Sequence, residues 1–256
     1  MIRFKTFPSD STGIPHILEH LALCGSKNFP VRDPFFKMIK RSLNTFMNAW
    51  TGSDFTAYPF STCNEKDFNN LLQVYMDATF FPNLKKTDFN QEGYRYEFEE
   101  AGNPESPLTI KGVVYNEMKG AMSNADTLFL HRLNHHMFEK ATYHHNSGGD
   151  PKDIPLLKYE TLKKFHEDNY HPSNSYIVTY GDLDFSQHLE FINTNIYSKF
   201  DKKNLNPVVE NEPRLSTPKY KTEYFMPELI SDTESQGKLG ISYLCNEIHK
   251  DSYETF

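Results

Sequence analysis

The chain has 256 residues, with 27 Lys and Arg against 34 Asp and Glu, a formal net charge of −7 at pH 7. That length holds one full domain and a remainder, and the acidic balance argues against a nucleic-acid partner, which needs a basic face. No apolar run approaches the roughly 20 residues of a membrane-spanning helix, and Cys24, Cys63 and Cys245 form no Cys-x-x-Cys pair, which fits free thiols in a reducing compartment.

Residues 1–7 alternate apolar and polar side chains, the period of a half-buried strand. Pro15 suits the first turn of a helix, where its missing N–H costs little. That helix carries His16-Ile17-Leu18-Glu19-His20. At about 100° per residue, His16, Glu19 and His20 leave one face. Neutral imidazoles four apart can share one zinc ion, and a glutamate that does not ligate can take a proton from the attacking water. The order His-x-x-Glu-His is the inverted form of the zinc signature. The competing reading is an amphipathic helix with a solvated glutamate. Leu18, Leu21 and Leu23 give the segment apolar surface, and packed histidines need partners, which favours the metal. A third protein ligand must lie elsewhere. The best candidate stretch is Lys111-Gly112-Val113-Val114-Tyr115-Asn116-Glu117-Met118-Lys119-Gly120, although Glu117 taken alone reads as an exposed helix glutamate.

Further along, Pro30 and Pro34 bracket a turn before a short helix at 34–41. Residues 43–50 and 55–62 read as two strands joined at Thr51-Gly52-Ser53-Asp54. Asn64 caps a helix whose Phe68, Leu71, Leu72, Tyr75, Met76 and Thr79 follow helical spacing, and Pro82 ends it. A helix is expected at 87–100, with Glu97, Glu99 and Glu100 on a solvated face, then a Gly/Pro loop at 102–107. Residues 113–122, 126–138 and 159–170 read as helices, Gly148 and Gly149 as a tight turn, 175–180 as extended, and Asp184 as the cap of a helix to 200. Residues 201–220 are polar and proline-punctuated, a linker by composition, and 238–244 reads as a strand. The alternation of helices and hairpins is α+β.

The remaining histidines compete poorly for a metal. His131 and His135 are spaced four apart beside His136, His144 and His145. They lack the glutamate of the inverted motif, and Arg132 and Lys140 add positive charge, so a solvated or surface-packed cluster is expected. His166, His171 and His188 are isolated and read as satisfied or exposed. Neither a Gly-x-Ser-x-Gly elbow nor a phosphate-binding Gly-rich loop is present.

The chain resembles the N-terminal part of pitrilysin-type (inverzincin, insulinase-like) metallopeptidases of the presequence protease group. The matching stretches run almost end to end: Asp10-Ser11-Thr12-Gly13-Ile14-Pro15-His16 into the zinc motif, Arg32-Asp33-Pro34-Phe35-Phe36-Lys37-Met38, Thr45-Phe46-Met47-Asn48-Ala49, Gln91-Glu92-Gly93, residues 113–120, Ser147-Gly148-Gly149-Asp150-Pro151 and Tyr170-His171-Pro172-Ser173-Asn174. Leu21, Ala22, Trp50 and Tyr94 depart from the usual residues without touching the motif.

The resemblance implies an antiparallel sheet covered by helices and one zinc ion per chain. His16, His20 and Glu117 would be its ligands and Glu19 the general base. It also implies an extended peptide substrate added to an edge strand near Asn48 and Ala49, with Phe35 and Phe36 as pocket residues, although a buried strand and core packing remain open for these four. Residues 1–200 would form the catalytic domain with its N-terminus truncated, 201–220 a linker and 221–256 the start of a second homologous domain. Relatives enclose substrate between two halves, so the missing C-terminal half is an expected partner and the chain alone is expected to be a poor peptidase. The resemblance also implies a mitochondrial location, the matrix, and cleaved targeting presequences as substrates. The alternative is a non-catalytic structural or interaction module of the same fold, and the complete ligand set argues against it.

Overall fold

A computed structural model describes residues 1–226 and 236–245. In chain order the elements are β1 (Ile2–Lys5), α1 (Ile14–Ala22), α2 (Pro34–Arg41), β2 (Asn44–Met47), β3 (Trp50–Thr51), β4 (Phe55–Tyr58), β5 (Phe60–Thr62), α3 (Glu65–Phe80), α4 (Lys86–Glu92), β6 (Arg95–Phe98), β7 (Leu108–Lys111), α5 (Val113–Ala121), α6 (Ala125–Met137), α7 (Tyr159–Asn169), β8 (Ser175–Ile177) and α8 (Phe185–Asn195). Short 3₁₀ turns lie between several of them.

The central sheet has the order β3-β4-β1-β8, with every neighbouring pair antiparallel. Alternation along β1 buries Ile2 and Phe4. They meet Ile17, Leu18 and Leu21 of α1, Leu71, Tyr75 and Met76 of α3, and Tyr170 in one core. The Phe4 ring stacks on Tyr170 at 4.4 Å between centroids, and the Tyr58 and Tyr170 hydroxyls share a hydrogen bond of 2.8 Å within that core. Helix α1 packs on β3 and β4 on one side and on α4 and α7 beside them. This is the expected α+β arrangement, an antiparallel sheet covered by helices.

Helix starts follow their sequence signals. Pro15 stands in the first turn of α1, Asn64 accepts the Asp67 N–H at 3.0 Å, and Asp184 accepts the Ser186 N–H at 3.0 Å. Five segments depart from expectation. The two long strands each divide in two, giving the β2–β5 and β3–β4 pairs. Pro59 cannot donate to a ladder, so only its carbonyl takes part, accepting the Asn48 N–H at 3.1 Å, while Ala49 donates to the Asn48 side chain instead.

The helix expected at 87–100 stops at Glu92. After Gly93 the alternating Arg95-Tyr96-Glu97-Phe98 forms β6 against β7. Glu97 therefore lies between Arg95 (2.6 Å) and Lys111 (3.2 Å) across the hairpin, while Glu99 and Glu100 are exposed. The last helix ends at Asn195, where buried Ile196 leaves helical geometry before a 3₁₀ turn at Tyr197–Lys199.

Residues 238–244 form no strand: no described strand runs beside them to supply a ladder, and Leu239, Ile241 and Tyr243 are exposed. Instead Lys238 pairs with Asp126 at 2.6 Å and Gly240 lies against the Phe129 ring of α6. Residues 201–220 have no helix or strand, yet the chain there is anchored. The Glu212 carboxylate accepts the N–H groups of Glu139, Lys140 and Ala141, each at 2.9 Å. His166 donates to the Thr79 carbonyl and His171 accepts the Ser173 N–H, whereas His188 is buried against Phe68 with its Nδ1 unpartnered, neither satisfied nor exposed.

Candidate metal centre

The inverted motif occupies the middle of α1, which begins at Gly13. That residue has φ +72°, and a Cβ there would come within 2.7 Å of the Gly148 carbonyl oxygen, so the helix start and the 146–150 loop touch backbone to backbone. The same Gly148 carbonyl accepts a hydrogen bond from His16 Nδ1 at 3.0 Å. A carbonyl can only accept, so the proton sits on Nδ1 and the Nε2 lone pair faces the other way. His20 is fixed likewise, its Nδ1 donating to Glu92 Oε2 at 3.1 Å. The two rings stand edge to face with centroids 5.0 Å apart.

Glu117 arrives from α5. The β6–β7 hairpin separates α4 from α5, and its base closes where Gly112 meets Gly93: a Cβ on Gly112 would lie 2.0 Å from the Gly93 carbonyl oxygen. That approach sets Glu92, at the end of α4, and Glu117 on the same side of α1. Glu117 Oε2 is 3.8 Å from His16 Nε2 and 3.9 Å from His20 Nε2. Among the described residues, His16, His20 and Glu117 form the single trio of ligand-type side chains with donor atoms all within 4.8 Å of one another. Two imidazole nitrogens with hydrogen-bonded backs and one carboxylate are a donor set that fits zinc.

Glu19 is buried beside this trio, and Thr51 of β3 donates to its Oε2 at 2.5 Å. Burial pushes its carboxyl above the usual range, while the Thr51 hydrogen bond and the nearby histidines oppose the shift. For His20, burial acts downward but is outweighed by the Glu92 hydrogen bond and by the charges of Glu19, Glu92 and Glu117, so its pKa is raised.

Asn48 is exposed and Ala49 half-buried, just before β3, which is an edge of the sheet among the described strands. Phe35 is buried, with its ring 6.3 Å from Tyr75, and Phe36 is exposed. Thr51, Glu92 and the Gly148 carbonyl were not identified from sequence. Glu92 lay in a matching stretch, but no spacing rule connects it to His20.

The family model of the Insulinase (Peptidase family M16) domain matches residues 8–136, and that of the Peptidase M16 inactive domain matches residues 157–255. The chain belongs to peptidase family M16. Mitochondrial presequence proteases of Danio rerio and Xenopus laevis are 49% and 48% identical to it over the whole chain, which covers 25% of each. This M16 chain therefore spans about a quarter of the length of those relatives. A protease from Helicobacter pylori shares the fold, with a TM-score of 0.65 and 23% identity over 83% of this chain and 48% of that one.

Proposed function

We propose that the chain carries the catalytic centre of a zinc-dependent endopeptidase acting on short unstructured peptides, cleaved mitochondrial targeting presequences among them. The supporting observation is the convergence of His16, His20 and Glu117, with Glu19 alongside and outside the trio. His16 and His20 would hold zinc through Nε2 and Glu117 through a carboxylate oxygen. Zinc bound there would supply Lewis acidity toward a water and a peptide carbonyl. Glu19 takes the proton of the attacking water and returns it to the leaving amine, a role suited by a carboxyl whose burial makes it more basic. Thr51 holds one Glu19 oxygen and leaves the other for that transfer.

The substrate lies extended along the open edge of β3, joined by main-chain hydrogen bonds near Asn48 and Ala49, with Phe36 and the rim of Phe35 beside its side chains. Residues 1–200 are the catalytic domain, 201–220 a connection and 221–256 the opening of a second domain. The names of the relatives support a mitochondrial site of action, within which the matrix is the proposed compartment. The chain covers 25% of those relatives, which is the reason to assign efficient turnover to an enzyme with a further half.

Zinc content after gel filtration tests the centre: one zinc per chain is expected, and none in His16→Ala or Glu117→Ala. A chain that elutes without zinc sinks the peptidase reading and favours a non-catalytic module. Glu19→Gln keeps the zinc and loses peptide cleavage, measured with the C-terminal half of a relative supplied. Cleavage by that variant at the wild-type rate removes the base.

A further inference from the structure

A polar cleft of about 70 Å³ lies apart from the metal centre, between α6, the 3₁₀ turn at Thr142–His144 and the 146–150 loop. His131, Arg132 and His135 line it from α6, and His144 and His145 from the turn. His144 Nδ1 donates to the Phe138 and His135 carbonyls at 2.6 and 3.1 Å, and its ring lies against His135 with centroids 3.9 Å apart. The side chains of His131 and His145 have no hydrogen-bond partner among the described residues, while the His135 ring is held by the His144 backbone. The Arg132 guanidinium has neither a hydrogen bond nor an ion pair there.

Four imidazoles suggest a cation, but the wall argues otherwise. Their nitrogens form no converging trio, since the single such trio is at the metal centre, and a guanidinium repels a metal ion. We propose that this cleft is an oxyanion site for one phosphate- or carboxylate-sized group, with Arg132 as the fixed positive charge, the rings of His131 and His145 as N–H donors, and the second N–H of His135 joining them when that ring is charged. A water needs about 10–15 Å³ on this measure of volume, so the cleft admits the four or five heavy atoms of such a group.

The acids nearby are engaged locally. Asp150, the one carboxylate lining the cleft, accepts the Lys152 N–H at 3.0 Å. Asp10, which acts on His145, accepts the Thr12 N–H and hydroxyl at 2.9 and 2.5 Å. Tyr143 donates to Asp54 at 2.9 Å, and Glu223 pairs with the neighbouring His136 at 2.8 Å while its charge also acts on Arg132 and His135. Burial holds His131, His135 and His145 below the ordinary histidine range, and repulsion by His144 adds to this for the last two. A bound anion favours their charged forms, so affinity rises as pH falls.

The cleft shares its 146–150 loop with the metal centre, whose His16 is held by Gly148. Its anion can therefore be an acidic group of a bound peptide or free phosphate. The full chain, labelled with ¹⁵N-histidine and stripped of zinc, is titrated at constant ionic strength with inorganic phosphate and with a short peptide rich in glutamate, at about pH 6 and about pH 7.5. Saturable shifts of the His131, His135 and His145 rings are expected, tighter at the lower pH. Arg132→Gln weakens binding by at least about tenfold, and Asp150→Asn tightens it by removing the opposing charge. Saturation by the peptide in competition with phosphate assigns a substrate carboxylate; saturation by phosphate alone assigns the free ion. Absence of saturation with either, or unchanged affinity in a folded Arg132→Gln chain, overturns the site. Because no zinc is present, the result stands apart from the peptidase reading.

Discussion

Thr51 and Glu92 do comparable work at opposite ends of the motif. The Thr51 hydroxyl holds Glu19, and the Glu92 carboxylate holds the back of His20. Removing the hydroxyl leaves a buried carboxylate oxygen without its donor, and hydrogen bonds to charged groups are worth about 1.5–3 kcal/mol. Thr51→Val therefore lowers unfolding free energy in urea by about that amount, and Thr51→Ser restores most of it. Equal stability of the valine variant would show that water replaces the hydroxyl. Glu92 acts on a ligand. Losing the group that orients a ligating imidazole costs about 10–100-fold in metal affinity. Glu92→Ala should show this loss in a competition with a zinc chelator, with Glu92→Gln between it and wild type because the amide oxygen still accepts the Nδ1 proton. Wild-type zinc affinity in the alanine variant would mean that α1 packing alone fixes His20.

At the level of elements, the site depends on how the hairpin β6–β7 closes. Gly112 has an extended φ of 171°, which any residue adopts, so the constraint is space rather than conformation. A Cβ there meets the Gly93 backbone, which cannot swing away as a flexible side chain would. Gly112→Ala should cost more than about 2 kcal/mol and weaken zinc binding, since it parts the segments carrying Glu92 and Glu117. Retained zinc affinity at lowered stability would separate hairpin closure from the site. The sequence marked helix ends well because Pro15, Asn64, Pro82 and Asp184 act locally. It did not show this hairpin. Tyr96, Phe98 and Leu108 point their apolar side chains outward, so the alternation does not read as a buried face, and the acidic run through Glu100 reads as helix. The split of the long strands was equally hidden, because Pro59 breaks only the ladder and leaves the strand-forming residues on each side unchanged.

Over the whole molecule, the candidate site was legible in proportion to how local it is. His16, Glu19 and His20 follow from one helical period. Glu117 needed the resemblance, because its partners are about a hundred residues away in a hairpin-connected fold. Thr51 and the Gly148 carbonyl carry no sequence pattern at all. Protonation is also a property of the assembled chain. Burial is the largest cause lowering the pKa of His131, His135, His145, His166 and His171. A histidine lowered in the folded state keeps the fold favoured above its unfolded value of about 6.5, and that advantage is lost as pH falls below this value toward the folded one. His20, raised in the fold, acts in the opposite sense: its contribution is present below about 6.5 and lost above it. The lowered rings outnumber the raised one, and the expected sign follows them. The urea midpoint of the zinc-free chain should fall between about pH 7.5 and about pH 5.5. His166→Gln, whose amide can still donate to the Thr79 carbonyl without gaining a charge, should flatten part of that slope. A midpoint that rises on acidification would show that His20 and the buried carboxyl of Glu19 outweigh the buried neutral rings.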